Sequence, residues 1–175
     1  MNPPTEMPGA EWLDWMDQEL AQAQRPDGQK TAFEVLLIGE GPAALARAEE
    51  LCLCLAIRFV HEITFEGATL TFAALADPEC RAEAARDVAA AKMILLSFGD
   101  ALRLPVQVEG WIQSLPTAPH ARALVALFAQ EHETTAEALE ICDRLRSIGA
   151  KTGMDFLSNT VENLDRHAEG ITVRE

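Results

Sequence analysis

Tyrosine is absent from this sequence of 175 residues, and aromatic side chains make up only 6% of it. Apolar residues nonetheless reach 49%, so alanine, leucine and valine must fill most of the interior. Many small apolar side chains favour helices packed closely on a sheet. The length corresponds to one domain of ordinary size with short extensions.

Basic residues are also scarce, because 14 lysines and arginines face 28 acids and leave a formal charge of −14. Affinity for nucleic acid comes largely from Lys and Arg contacts with phosphates, and anionic membrane surfaces attract the same side chains. We therefore exclude nucleic acid and membrane surfaces as primary partners. A protein partner or self-association remains open, and solubility alone is a sufficient reason for an acidic surface.

Metal-binding cysteine motifs are missing as well. The four cysteines are Cys52, Cys54, Cys80 and Cys142, and none forms a CxxC or Cys/His spacing. We expect them to be buried thiols in a reducing compartment. The first residues lack the basic and apolar regions of a signal peptide, and no apolar run is long enough to span a bilayer. The sequence therefore predicts a soluble, cytoplasmic protein.

Apolar runs of strand length alternate with amphipathic segments along most of the chain. The predicted strands are 33–38, 59–73 (interrupted at Gly67), 93–97, 121–128 and 154–158. The predicted helices between them are 42–56, 78–91, 105–115 and 134–149. Such alternation is typical of a parallel sheet with helices on both faces, and five strands favour the order 2-1-3-4-5. The predicted fold is a three-layer α/β sandwich, flavodoxin-like or receiver-like.

Three segments follow from this pattern: an N-terminal arm over 1–30, a single α/β domain over 31–160 and a polar tail over 161–175. The arm contains an amphipathic helix over 10–24. Its apolar stripe includes the candidate interface residues Trp12, Trp15 and Met16. Two interpretations remain open, since the stripe can pack on its own domain or anchor a contact with another chain.

In open α/β sheets, ligands bind beyond the carboxyl ends of the strands, where the strand order reverses. Here that point lies between the loops 39–42 and 98–100, and the loop 129–132 lies beside them. The candidate rim residues are Glu40, Gly41, Ser97, Gly99, Asp100, Glu131 and His132. Glu40 and Asp100 are the pair that could hold Mg²⁺ through waters. His132 could be a metal ligand or a general base, but no residue is assigned as catalytic and no metal site is assigned.

The segment 97–111 resembles the flavodoxin and quinone-reductase group, in which a strand-end loop precedes a helix that starts with a hydrophobic residue and Pro. The matching residues are Ser97, Phe98, Gly99, Leu104, Pro105, Val108 and Trp111. The resemblance implies that FMN phosphate binds in the loop 39–44. That loop departs from the family pattern, since it has no hydroxyl, carries Glu40 and loses an amide donor at Pro42.

The same segment is similar to the receiver domain of two-component signalling, through Asp100, Leu104-Pro105 and Glu109-Gly110. This resemblance implies that Asp100 is the phosphoacceptor. Other residues depart from the receiver pattern. Only Glu40 remains of the acidic pair after the first strand, Ala129 or Gln130 replaces a hydroxyl residue, and Ser158-Asn159 replaces the lysine. Without these groups phosphoryl transfer lacks its electrostatic clamp.

A third resemblance, over about residues 33–158, is to small bacterial α/β proteins without an assigned activity. It rests on a set of fold signals. These are Leu75 to Pro78, Arg81, Ala84 to Asp87, Ser97, Gly99, Leu104-Pro105, Val108, Trp111 and Ala123 to Leu127. The functional prediction is a non-enzymatic regulatory or protein-interaction domain of pseudo-receiver type. The alternative is an FMN- or nucleotide-binding flavodoxin-like oxidoreductase.

Overall fold

The sheet of this protein has five parallel strands in the order β2-β1-β3-β4-β5, which confirms the predicted order. A computed structural model describes residues 10–22, 29–116 and 123–160. The strands are β1 (Thr31–Gly39), β2 (Ile63–Thr71), β3 (Met93–Ser97), β4 (Ala123–Leu127) and β5 (Asp155–Ser158). The predicted loop 116–119 and tail 161–175 lie wholly or mostly outside the described residues.

Helices cover both faces of this sheet, as the predicted three-layer sandwich requires. They are α1 (Ala10–Gln22), α2 (Pro42–Arg58), α3 (Pro78–Ala90), α4 (Val106–Gln113) and α5 (Ala136–Thr152). Two short 3₁₀ helices, Ala73–Ala76 and Gln130–His132, follow β2 and β4. Side chains alternate between the faces along each strand, so the core is divided into two clusters. One cluster lies under α1 and α2, and the other lies under α3, α4 and α5.

The burial of the central strands β3 and β4 explains why this sequence forms a parallel sheet with helices on both faces. Every residue of β3 (MILLS) and β4 (ALVAL) is buried. Continuous apolar runs are typical of parallel strands that are covered on both faces. The edge strand β2 (ITFEGATLT) has only one buried residue, Ile63. The covered centre of the sheet therefore lies along β1, β3 and β4.

Helix α1 packs against the strands β1 and β5 of its own chain. The indole Nε1 of Trp12 donates to the backbone oxygen of Ser158 at 3.3 Å, and that of Trp15 donates to the Asp155 carboxylate at 3.2 Å. Trp12, Trp15 and Met16 are all buried in the core cluster of this face. These contacts agree with the interpretation in which the stripe packs on its own domain, because little of the three side chains is left exposed.

Two glycines behave differently from the sequence prediction. Strand β2 is continuous through Gly67, where a Cβ atom would lie 2.8 Å from the Val35 oxygen, so glycine relieves a close approach and does not interrupt the strand. Helix α5 does not end at Gly149 but continues to Thr152. Its left-handed cap is Gly153, with φ of 80°, a conformation that glycine adopts without steric cost.

All four cysteines are free thiols, but only Cys142 is fully buried. The other three are partly exposed, so the prediction that all four are buried is wrong. They lie on α2 and α3, near the boundary between the covered and open sides of these helices. Within the described ranges 10–22, 29–116 and 123–160, no helix is both long and apolar enough to cross a membrane.

The Cys52 thiol gives the protein a testable alkaline instability. Burial, with the Glu49 carboxylate as a second cause, raises the pKa of Cys52 from 9.0 to about 12. The unfolded thiol ionises near pH 9 while the folded one stays protonated, so this group stabilises the fold below pH 9 and loses that contribution as pH rises. We expect the free energy of unfolding to fall by up to about 1.4 kcal/mol per pH unit above pH 9.

Urea unfolding at several pH values between 8 and 11 measures this slope. The matched variant Cys52→Ala removes the titrating group, so its slope should be shallower than that of the wild type. Equal slopes in the two proteins would show that the Cys52 thiol does not control alkaline stability.

Candidate functional site

The loops after β1 and β3 meet at the point where the strand order reverses, and Glu40 closes the space between them. Its backbone N–H donates to the Ser97 oxygen at 3.0 Å, and its carboxylate accepts a short hydrogen bond from the Gly99 N–H. A Cβ atom on Gly99 would lie only 2.6 Å from the Glu40 carboxylate. The glycine is therefore what allows the carboxylate to approach this backbone amide.

Arg47 forms a second bridge across the same crevice. It lies on α2, which begins at Pro42 after an extended Gly41, and its Nη1 donates to the Phe98 oxygen at 2.9 Å. The loop after β3 thus presents an N–H to an acid and a C=O to a base, both from the β1–α2 segment. These two charge-assisted contacts fill the crevice with groups of the protein itself.

Asp100 points to a different partner, His132 in the 3₁₀ helix after β4. The His132 Nε2 lies 2.9 Å from the Asp100 carboxylate, whose side chain is 92% exposed. Glu131 completes a group in which one ligand-type atom of each residue lies within 4.8 Å of the others. Ion pairs this exposed contribute little to stability because water screens them.

The predicted pairing of Glu40 with Asp100 around Mg²⁺ finds no support in this geometry. Glu40 faces Gly99, and Asp100 faces His132. The Glu40 carboxylate therefore contacts the loop after β3, whereas the Asp100 carboxylate contacts the segment after β4. The sequence placed all these residues on one rim, but it did not reveal which side chains pair with each other.

Ser97 does not lie on the rim surface. Its side chain is completely buried at the end of β3, and its hydroxyl has no hydrogen-bond partner within the described residues. Gly41 is partly exposed, and a Cβ atom there would contact nothing within 4 Å. Of the predicted rim residues, Ser97 is therefore buried beneath the strand ends, because α2 covers the sheet face to which it belongs.

Three phenylalanines form the floor beneath the rim. Phe72 lies just after β2, Phe98 just after β3 and Phe128 just after β4. The rings of Phe98 and Phe128 are stacked with centroids 5.0 Å apart, and Phe72 meets Phe98 edge-on at 5.3 Å. The sequence signal for this floor is a phenylalanine directly after each of the strands β2, β3 and β4. Reasoning from the sequence missed it because each residue looked like ordinary core.

Asn159, which stands where the receiver pattern has a lysine, makes contacts that the sequence did not predict. Its amide oxygen accepts from the Phe128 N–H at 3.0 Å, and its amide nitrogen donates to the Phe128 oxygen at 2.8 Å. The same nitrogen donates to the Glu133 carboxylate at 2.9 Å. Asn159 thus fastens the end of β5 to the segment after β4, at a place where a receiver carries a lysine.

An open cavity of about 200 Å³ adjoins this end of the sheet. It lies between α2 and the segments that follow β4 and β5. Its lining includes Arg47, Glu50, Cys54, Leu127 and Asn159. The cavity is small for a nucleotide or flavin, whose sites typically measure about 300–1,000 Å³.

The loop that carries Asp100 has one strained residue. Leu102 has φ of 45°, in the left-handed region that favours glycine and costs other residues about 1–2 kcal/mol. Its side chain packs against the core cluster under α3, α4 and α5, which offsets the strain. The packed leucine thereby fixes the path of the loop.

The fold defines this protein as a flavodoxin-like three-layer α/β sandwich. No protein-family model matches the chain, and no curated protein matches it either. Its function must therefore be inferred from the geometry of the strand ends.

Proposed function

We propose that this protein is a non-enzymatic regulatory or protein-interaction domain, a pseudo-receiver in effect. The observation that carries the proposal is the hydrogen bond from the Gly99 N–H to the Glu40 carboxylate. In open α/β sheets the amides at this position are available to an anionic ligand. Here a side chain of the protein takes that place.

The pairing of the other rim groups supports the same conclusion. A phosphoacceptor aspartate needs a cation and a lysine to stabilise the transferred group. Asp100 instead lies beside His132, and Asn159 binds the backbone of Phe128. Among the described residues, the contacts of these two groups are with His132 and with the Phe128 backbone, and neither contact involves a lysine.

The alternative of an FMN- or nucleotide-binding oxidoreductase is weaker. The Glu40 carboxylate would repel a phosphate at the β1–α2 loop, and Pro42 supplies no N–H there. The adjoining cavity of about 200 Å³ also carries the acid Glu50 on its wall. A flavin would therefore have to displace two charge-assisted contacts before it could bind.

We expect two ligand assays to give negative results with the full chain. FMN at millimolar concentration should leave the thermal midpoint unchanged, since a ligand that binds the native state must raise it. Incubation with a small acyl phosphate should give no phosphorylation of Asp100 by intact-mass measurement. The variant Asp100→Asn is the matched control for any adduct that appears.

A positive result in either assay would overturn the proposal. A phosphoryl adduct present in the wild type and absent in Asp100→Asn would identify an active receiver. A rise in the midpoint with FMN, or a yellow protein on purification, would identify the flavin-binding alternative.

The cellular setting belongs to the same proposal. We propose a cytoplasmic protein whose partners are proteins and not nucleic acids. Four free thiols suit a reducing compartment, and the charge of −14 opposes binding to phosphate backbones.

A further inference from the structure

Two segments that are far apart in the chain bring one histidine and two carboxylates together at the strand ends. Asp100 follows β3, whereas Glu131 and His132 lie in the 3₁₀ helix after β4. One ligand-type atom of each side chain lies within 4.8 Å of the other two. The segments meet because β3 and β4 are neighbouring strands. We call Asp100, Glu131 and His132 the rim cluster.

An ion pair between Asp100 and His132 does not account for the whole rim cluster. Glu131 adds a second carboxylate, and two carboxylates this close repel each other in a protein of charge −14. One imidazole can balance at most one of these charges. Within the described ranges 10–22, 29–116 and 123–160, no lysine or arginine forms an ion pair with either carboxylate. The group therefore has the charge and the donor atoms that suit a divalent cation.

The backbone on both sides of the rim cluster is held in place. The His132 N–H donates to the Ala129 oxygen at 2.9 Å, and the His132 oxygen accepts from the Thr135 hydroxyl at 2.8 Å. In the other segment, Leu102 packs against the core cluster under α3, α4 and α5. Ligands carried by fixed segments lose little conformational freedom when they bind, so this arrangement favours binding.

The donor atoms select the class of ion. Imidazole nitrogen suits zinc and its neighbours among the transition metals, whereas Mg²⁺ and Ca²⁺ take oxygen ligands. Zinc bonds to nitrogen and oxygen of about 2.0–2.2 Å in a tetrahedral site place the ligand atoms about 3.3 Å apart. The His132 Nε2 and the Asp100 carboxylate are already 2.9 Å apart. Glu131 is exposed, so its carboxylate can rotate to complete the set.

We propose that the rim cluster binds a divalent transition metal, with Zn²⁺ as the representative ion. The His132 Nε2 and one oxygen each from Asp100 and Glu131 are the protein ligands, and water takes the fourth position, as in zinc sites with three protein ligands. This site differs from a magnesium site between Glu40 and Asp100, because it uses a nitrogen ligand and the segment after β4. The ion joins the loop after β3 to the segment after β4.

Isothermal titration calorimetry of the full chain with ZnCl₂ tests this proposal. We expect one ion per chain, and binding that persists in about 10 mM MgCl₂, which competes for sites made of carboxylates alone. His132→Gln should weaken the affinity at least tenfold, since even the loss of a group that only supports a metal ligand costs about 10–100-fold. His61→Gln is the matched control, because His61 is exposed in the turn before β2.

The carboxylates provide a second set of variants. Asp100→Asn and Glu131→Gln each remove one charge at nearly constant shape, and each should also weaken zinc binding at least tenfold. Both side chains are exposed, so these variants should keep the fold and decide the outcome if His132→Gln does not fold. Glu140→Gln removes an exposed charge on α5 and should leave the affinity unchanged.

The partly exposed thiols need a control of their own, since thiolates also bind zinc. The double variant Cys54→Ala/Cys80→Ala removes two of these thiols and keeps the rim cluster, so its affinity should stay within about twofold of the wild type. Amide hydrogen exchange gives an independent readout. Because the ion joins two segments, ZnCl₂ should slow exchange in both 99–104 and 129–134.

The absence of zinc binding up to about 1 mM would overturn the proposal. Binding that His132→Gln and Asp100→Asn both leave unchanged would also overturn it, because it would show an adventitious ion on the acidic surface. Binding lost in Cys54→Ala/Cys80→Ala would assign the ion to thiols, and binding lost in MgCl₂ would assign it to carboxylates alone. No arm uses FMN or a phosphodonor, so failure here and failure of the proposed function are distinguishable.

Discussion

Replacing Trp12 with alanine is expected to lower the free energy of unfolding by about 3–5 kcal/mol. The indole is 2% exposed and packs in the cluster that α1 shares with the sheet. Truncation removes this packing and leaves a cavity. It also leaves the Ser158 oxygen without the indole N–H. Urea unfolding monitored by circular dichroism measures the loss, which should not depend on protein concentration.

The variant Trp12→Phe separates the two contributions. It keeps most of the apolar volume but removes the N–H donor, so we expect a smaller loss of about 1–2 kcal/mol. A loss below about 1 kcal/mol for Trp12→Ala would show that α1 does not stabilise the domain. A loss that grows on dilution would indicate that Trp12 acts between chains.

Replacing Phe98 with alanine is expected to cost a similar amount, about 3–5 kcal/mol. Its ring is completely buried and contacts both Phe72 and Phe128. Each of these rings follows a different strand, so the truncation loosens three strand ends together. Amide hydrogen exchange should therefore accelerate in the segments after β2, β3 and β4.

Phe98→Leu is the control for this effect. Leucine retains apolar contact beneath the rim but cannot stack on Phe128, so its loss should be about half that of alanine. Faster exchange confined to the loop after β3 would show that the three rings do not act as one floor. Unchanged stability in Phe98→Ala would contradict the packing altogether.

Much of the architecture is determined by local patterns in the sequence. The buried runs of β3 and β4 match their predicted positions because a strand covered on both faces must be apolar at every residue. Asp77 caps α3, its side chain accepting from the Glu79 N–H at 2.8 Å, and Thr135 caps α5 in the same way. These signals act between near neighbours, so they are readable without tertiary structure.

The glycines show where local patterns are insufficient. Gly67 and Gly149 both look like interruptions in the sequence. Each is required because another part of the chain approaches it closely. A Cβ atom would lie 2.8 Å from the Val35 oxygen at Gly67 and 3.0 Å from the Met154 oxygen at Gly149. A glycine that accommodates a distant backbone atom cannot be distinguished from a helix or strand breaker by sequence alone.

The candidate site likewise combines features that the sequence predicts with features that depend on tertiary contacts. By itself the sequence determined a five-stranded parallel sandwich and the set of residues at its strand ends, since strand order places those loops together. Only the tertiary structure decided that Glu40 binds Gly99, that Asp100 turns to His132, and that Ser97 is buried. Pairing depends on side-chain directions and on contacts between residues far apart in the chain. Local periodicity contains no information about either.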